Sequence, residues 1–210
     1  MIYAENIFVA LAIPLVIAAV LLKGSARRFT GFYAAGLAAC LLASYINGFL
    51  ASASGMTELE VTIRLTPICE ELLKAFPVFF FAAVFEPKRS DLFSAAVAVG
   101  LGFATLESVC QIVAYGAAEF YFVLLRGFSA GAMHTISSAM LGYGLALLSR
   151  RRLILLPGSF GLLCAASVLH SLYNLFVTAW GAWRIVGYAL PLATTAALYL
   201  LFGRRLEIRN

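Results

Sequence analysis

The chain has 210 residues, of which 63% are hydrophobic and only 12% charged, with a mean hydropathy of +0.96. A soluble domain of this size carries roughly 45–50% apolar residues and about a quarter charged ones, so the composition excludes a soluble globular fold and implies an integral membrane protein. The net charge of +5 is no nucleic-acid footprint, because the basic residues fall in short clusters between apolar runs.

The first apolar run, about Asn6 to Leu22, is long enough to span a bilayer and lacks the basic n-region and small-residue cleavage site of a removable signal peptide. It reads as a retained helix. A basic loop from Lys23 to Arg28 leads to a second span, about Phe29 to Ala51, and then to a polar loop holding Glu58, Glu60 and Arg64. The third span runs from Pro67 to Phe85, with Pro77 predicted to kink it rather than break it, as membrane helices tolerate. The fourth is about Leu92 to Tyr115. Gly116 to Arg126 is an aromatic-rich connection that fits a loop, an interfacial turn or the start of a long helix. The fifth, sixth and seventh spans are about Gly127 to Leu148, Ile154 to Thr178 and Ile185 to Phe202, with Trp180 and Trp183 as an interfacial belt. The expected architecture is therefore an all-α, polytopic bundle of about seven transmembrane helices, forming a single domain over residues 1–210. No linker is long enough to divide it. Gly127-x-x-x-Gly131 and the paired glycines at 100/102 and 142/144 suggest close helix packing.

In a seven-span arrangement, Lys23, Arg27, Arg28, Lys88, Arg89, Arg150, Arg151, Arg152, Arg204, Arg205 and Arg209 fall on one side, against Arg64, Arg126 and Arg184 on the other. Basic residues favour the cytoplasmic side, which places the N-terminus outside and the C-terminus in the cytoplasm.

Within the third span, Glu70, Glu71 and Lys74 stand in a segment otherwise fit for lipid. A charge at the centre of a bilayer costs at least ~2.5–3.5 kcal/mol, so three of them need compensation. Glu70 and Lys74 have the i,i+4 spacing of a favourable pair, which leaves Glu71 to find another partner. A plainer reading puts all three in headgroup water, with Pro67 starting the helix and the acids at its positive end. The company they keep favours the first. His134 and His170, the chain's only histidines, and Glu107 all lie inside spans, with Asn174 one turn beyond His170. At ~1.5 Å per residue, Glu70 and Glu71 lie about 5–6 Å from the outer helix end, His134 about 10 Å, and Glu107 and His170 about 12–15 Å. Helices of opposite direction thus place polar groups in the same half of the membrane.

Two imidazoles and several carboxylates at one depth are the ligand types of a Zn²⁺ site with a position open for water. They also suffice for a water-activating carboxylate with imidazole or amide oxyanion donors. The cysteines Cys40, Cys69, Cys110 and Cys164 lie in separate apolar segments with no C-x-x-C spacing, which suggests neither a disulfide framework nor a thiolate metal site.

Glu70-Glu71-x-x-Lys74, Phe103-x-x-x-Glu107, Arg126 leading into His134, and His170-x-x-x-Asn174 together resemble the PrsW family of polytopic intramembrane proteases. That family is distantly similar to the CAAX prenyl protease and bacteriocin-processing superfamily, in which a His usually stands where this chain has Glu107. The resemblance covers about residues 66–178. It implies endoproteolysis of a single-span, membrane-tethered protein near the extracytoplasmic face, in a bacterial or archaeal plasma membrane, with an anti-sigma factor as the substrate of the named branch. On this reading Glu70 or Glu71 is the general base and Lys74 keeps the other carboxylate charged. Glu107, His134 and His170 ligate Zn²⁺ or another divalent metal or, without a metal, position water and stabilise the oxyanion together with Asn174. The rival reading is a proton or divalent-cation transporter or channel using the same intramembrane Glu and His side chains.

Overall fold

The computed structural model describes residues 4–115, 120–148 and 152–202. The basic positions Arg150, Arg151, Arg204, Arg205 and Arg209, and residues 116–119 of the aromatic connection, lie outside the described residues. Within them the chain is helical: α1 (Ala4–Leu21), α2 (Gly24–Ser54), the short α3 (Glu58–Glu60), α4 (Thr66–Phe85), α5 (Arg89–Tyr115), α6 (Phe120–Leu148), α7 (Arg152–Thr178) and α8 (Ala182–Phe202). The seven apolar runs are the seven long helices. By length and composition alone, α1, α2, α5 and α7 can each cross a membrane, and the three charges of α4 count against it on that measure. The undecided connection before Arg126 proves to be helical from Phe120, so α6 is 29 residues long.

The helix junctions have local causes. Between α1 and α2, Arg27 donates from Nε to the Leu22 carbonyl at 2.7 Å and from Nη2 to that of Val20 at 3.3 Å, serving carbonyls that a helix end leaves without partners. α2 stops at Gly55, which takes φ +65°, a left-handed value at which glycine meets no Cβ penalty. The expected polar loop after α2 is instead mostly helical. Thr57 and Glu60 form a capping box that starts α3, and Val61–Leu65 is a π-helical turn continuing directly into α4. Pro67 accounts for the wide turn. It has no N–H for the carbonyl four residues back, and its ring would clash with that carbonyl; the Thr66 N–H reaches back to Val61 O. Proline thus sits inside a longer helical path rather than starting it. α4 continues through Pro77 and ends at Glu86 (φ 44°), ahead of Pro87.

α5 runs through the interior, with Leu92, Ala95, Ala96, Ala98, Val99, Phe103, Ala104 and Leu106 buried along it. It packs on α2, α6 and α4; α7 packs on α6 and α4, and α2 on α4, so five helices close a ring. α1 lies outside that ring against α2 and α5, with no buried residue, and α8 lies against α6 and α7. Glycines allow the tightest approach. A Cβ on Gly36 would strike the Val99 carbonyl of α5, and one on Gly102 would strike the Tyr33 carbonyl of α2. Gly100 meets α6 in the same way, at the carbonyl of His134. Gly127 and Gly131 do not: a Cβ on either meets nothing within 4 Å. Among the described residues, their GxxxG spacing therefore brings no helix close, unlike Gly142 and Gly144 of the same helix, which meet Ala96 and Leu162.

Gly102→Ala should thus destabilise the protein by about 1–3 kcal/mol, the usual cost of overpacking. Gly127→Ala and Gly131→Ala should be neutral or stabilising by up to about 1 kcal/mol through helix propensity. Thermal unfolding of the three variants in one detergent checks the order.

Candidate active site

α4 presents Glu70, Glu71 and Lys74 toward the interior, all three buried. The ion pair is not the i,i+4 pair expected from the spacing. Lys74 Nζ donates to Glu71 Oε1 at 2.7 Å, an i,i+3 contact, with both side chains at most 3% exposed. The other two ammonium protons go to α6, reaching His134 Nδ1 at 3.2 Å and Ser137 Oγ at 2.9 Å. The ring of Phe103 lies 5.3 Å from Nζ. Glu71 Oε1 also accepts from Ser137 Oγ at 3.2 Å and from His170 Nδ1 at 2.9 Å. Glu71 is therefore a hub that ties α4 to α6 and α7.

Donor and acceptor chemistry fixes both imidazoles. An ammonium can only donate, so His134 accepts at Nδ1 and carries its proton on Nε2, which lies 2.5 Å from Glu107 Oε2. Glu107 Oε1 in turn accepts from Arg126 Nη2 at 2.8 Å. A carboxylate can only accept, so His170 carries a proton on Nδ1, facing Glu71, and Nε2 is the ring atom turned toward Glu70. Nε2 lies 3.7 Å from Glu70 Oε2. The other oxygen of Glu70 accepts from Asn47 Nδ2 at 3.2 Å.

These groups stand on the wall of a cavity of about 460 Å³, lined among others by Glu70, Glu107, Arg126, His134, His170 and Asn174. Glu71 and Lys74 do not line it; they lie behind Glu70 and the histidines. The cavity is at the end of the bundle where α2 and α7 finish and α4 and α6 begin, as its lining by Asn47, Thr66, Arg126 and Thr178 requires. The Arg28–Asp91 pair, 2.7 Å long, marks the opposite end. Asn174 reaches the π-helical turn, donating from Nδ2 to the Thr62 carbonyl at 2.9 Å. Two polar participants have no role in the sequence reading. Ser137 had a usable signal, standing one turn after His134. Asn47 had none: it belongs to a span without a motif, and only packing of α2 on α4 brings it to Glu70.

A family model, PrsW family intramembrane metalloprotease, matches residues 12–202. The chain belongs to this family. No curated protein and no solved structure matches it. It is accordingly a multi-pass membrane protein and an intramembrane protease, acting on membrane substrates within the bilayer, and the ion-pathway alternative gives way.

The metal in the family's description can be tested against the side chains of this PrsW member. One ligand atom each from Glu70, His134 and His170, all buried, lie within 4.8 Å of one another. One carboxylate and two imidazoles match a catalytic zinc set that keeps a coordination position open, and the group could hold a metal ion. The grouping puts Glu70 where the resemblance had Glu107, which is held instead by Arg126 and His134. His170 is already prepared, since a carboxylate on Nδ1–H is the usual outer partner of a ligating histidine. His134 would have to exchange one contact, because Lys74 and Glu107 take its two nitrogens.

Lys74→Met should leave the Glu71 carboxylate buried without its cation and destabilise the protein by about 3–5 kcal/mol. Adding Glu71→Gln to that variant should recover part of the loss. Unfolding of the two variants and of wild type in the same detergent reads both effects.

Proposed function

We propose that the chain is an endopeptidase that hydrolyses a single-span, membrane-tethered protein near the extracytoplasmic face of a bacterial or archaeal plasma membrane, with water handled by Glu70 and His170. The observation that carries this reading is that Glu70 Oε2 and His170 Nε2 face each other 3.7 Å apart on the cavity wall, where a neutral imidazole would present a second acceptor beside the carboxylate. That spacing is too long for a direct hydrogen bond. A water at the apex, at about 2.8 Å from each acceptor, can donate one hydrogen to either. Glu70 is then the general base, chosen between the two adjacent acids because Glu71 accepts three hydrogen bonds on one oxygen behind the wall.

The water's oxygen attacks the scissile carbonyl carbon while its proton passes to Glu70, which returns it to the leaving amine. Asn174 has a second amide hydrogen beyond the one given to Thr62, and turning it to the cavity provides a donor for the oxyanion. Glu70, His134 and His170 would hold a divalent ion, Zn²⁺ by ligand chemistry. When bound, it polarises the carbonyl and lowers the pKa of the attacking water. With Glu70 as a ligand, Glu107 is the cavity carboxylate left to take the proton. The resemblance suggests an anti-sigma factor as the substrate.

Glu70→Gln should lower kcat by about 10²–10⁴ on a single-span substrate, the range of general-base catalysis. Metal content measured on the same preparation separates the two roles. Loss of bound Zn²⁺ with the activity makes Glu70 a ligand, and unchanged metal content makes it the base. Full cleavage by the variant would sink the proposal.

The orientation supporting this site has seven crossings, an outside N-terminus and a cytoplasmic C-terminus. Its support is the bias of basic residues toward the end of the bundle away from the cavity. Reporter fusions after Arg152 and after Asn210 should read cytoplasmic, and one near Glu60 extracytoplasmic. A cytoplasmic signal at Glu60 would put the cavity on the wrong side for this substrate.

A further inference from the structure

At the opposite end of the bundle from the active site, α2 and α4 leave a groove of about 320 Å³. Its walls include Phe32 from α2 and Pro77, Phe80, Phe81 and Phe85 from α4, and Arg28 is the charged residue lining it. The rings form a continuous surface, with centroids 4.8 Å apart for Phe32–Phe81, 5.8 Å for Phe81–Phe85 and 6.2 Å for Phe80–Phe85. Phe85 is the last residue of α4 and Pro77 lies eight residues earlier, so the groove runs about 12 Å along the helix. Arg28, in the second turn of α2, stands at its outer limit.

We propose that this groove is a binding site for one anionic phospholipid, with an acyl chain along the phenylalanine wall and the phosphate on the Arg28 guanidinium. The depth profile is that of a lipid: apolar for about two turns of helix, then cationic at the helix end. Arg28 can serve a second anion. Its one partner among the described residues is Asp91, at 2.7 Å through Nη2, and the pair is exposed, 46% on the arginine side. A guanidinium has five N–H donors, and an exposed pair of this kind contributes at most about 1 kcal/mol. Charge decides against a zwitterionic occupant. The α1–α2 and α4–α5 junctions at this end carry Lys23, Arg27, Arg28, Lys88 and Arg89 against Glu86 and Asp91, and basic pockets between membrane helices favour anionic headgroups. The apolar length decides against free phosphate, which has nothing to place against four aromatic rings.

Two variants test the two halves of the site. Arg28→Gln removes the headgroup partner. Gly31→Leu fills the groove from α2; a Cβ at Gly31 meets nothing within 4 Å, so the helix packing tolerates it. The probe is native mass spectrometry of the full chain released from micelles containing phosphatidylglycerol or phosphatidylcholine. Arg184→Gln, at the other end of the bundle, serves as control. Wild type and the control should retain one phosphatidylglycerol in preference to phosphatidylcholine. Arg28→Gln should lose about fivefold of that preference, the factor matching about 1 kcal/mol per basic residue at an anionic surface. Gly31→Leu should lose retention of both lipids while keeping its thermal stability. Equal retention of both lipids by wild type would overturn the proposal, as would unchanged phosphatidylglycerol retention in both variants. Displacement of the lipid by millimolar inorganic phosphate would reduce the site to a headgroup contact and overturn the groove. A wild-type dimer that Gly31→Leu dissociates would assign the groove to a second copy of the chain.

Discussion

Lys74 is 1% exposed, and the three hydrogen bonds of its ammonium are made to protein. They come from two helices: Glu71 on its own, and His134 and Ser137 on α6. Breaking one such bond in a buried network strands a charge, which costs far more than the bond contributes when intact. The arrangement is therefore close to all-or-none. It fixes the rotation of α4 about its axis and the depth at which α6 passes it, and through Glu71 it also holds His170 of α7. It fixes chemistry as well, since a donor-only group at His134 Nδ1 and an acceptor-only group at His170 Nδ1 settle which of those two atoms carries a proton.

Two neighbouring carboxylates end up with different work. Glu71 points into the network and accepts from lysine, serine and histidine on one oxygen. Glu70, about 100° further round the helix, faces the cavity with a neutral amide on one oxygen and His170 Nε2 opposite the other. Adjacency in sequence is thus what separates them, because a helix cannot point successive residues at the same partner. Glu107 shows a third environment, a carboxylate held between an imidazole and a guanidinium at the cavity wall.

Lipid gives the helices no hydrophobic reason to associate, and the two halves of the bundle solve this differently. Around the site, polar groups bridge the helices. Between α2 and α5, backbones meet where Gly36 and Gly102 have no side chain, helped by the 2.6 Å bond between Tyr33 and Thr105. Below the site, small residues such as Ala75, Ala95, Ala96 and Ala146 pack with Leu92, Leu141 and Leu145. The cavity remains between these parts because the helices lining it contribute polar side chains there rather than close-packed ones.

The number and approximate limits of the long helices were legible in the sequence, because lipid requires long apolar runs and charged residues interrupt them. Glu70, Glu71, Lys74, Glu107, His134, His170 and Asn174 stood out for the same reason: a polar residue in such a run is costly enough to be conspicuous. Pairing was not legible. An i,i+4 rule describes an isolated helix, whereas Lys74 chose Glu71 because α6 brought His134 and Ser137 to the same side of α4. The paired glycines at 100/102 and 142/144 do meet neighbouring helices as their sequence suggested, whereas the GxxxG spacing at 127/131 did not say which face of α6 would meet one, and Gly36 carried no such signal. Asn47 became a partner of Glu70 only through the packing of α2 on α4. Composition along one chain reports the cost of placing each group in a membrane; which groups share that cost depends on distances between helices, and those exist only once the bundle has closed.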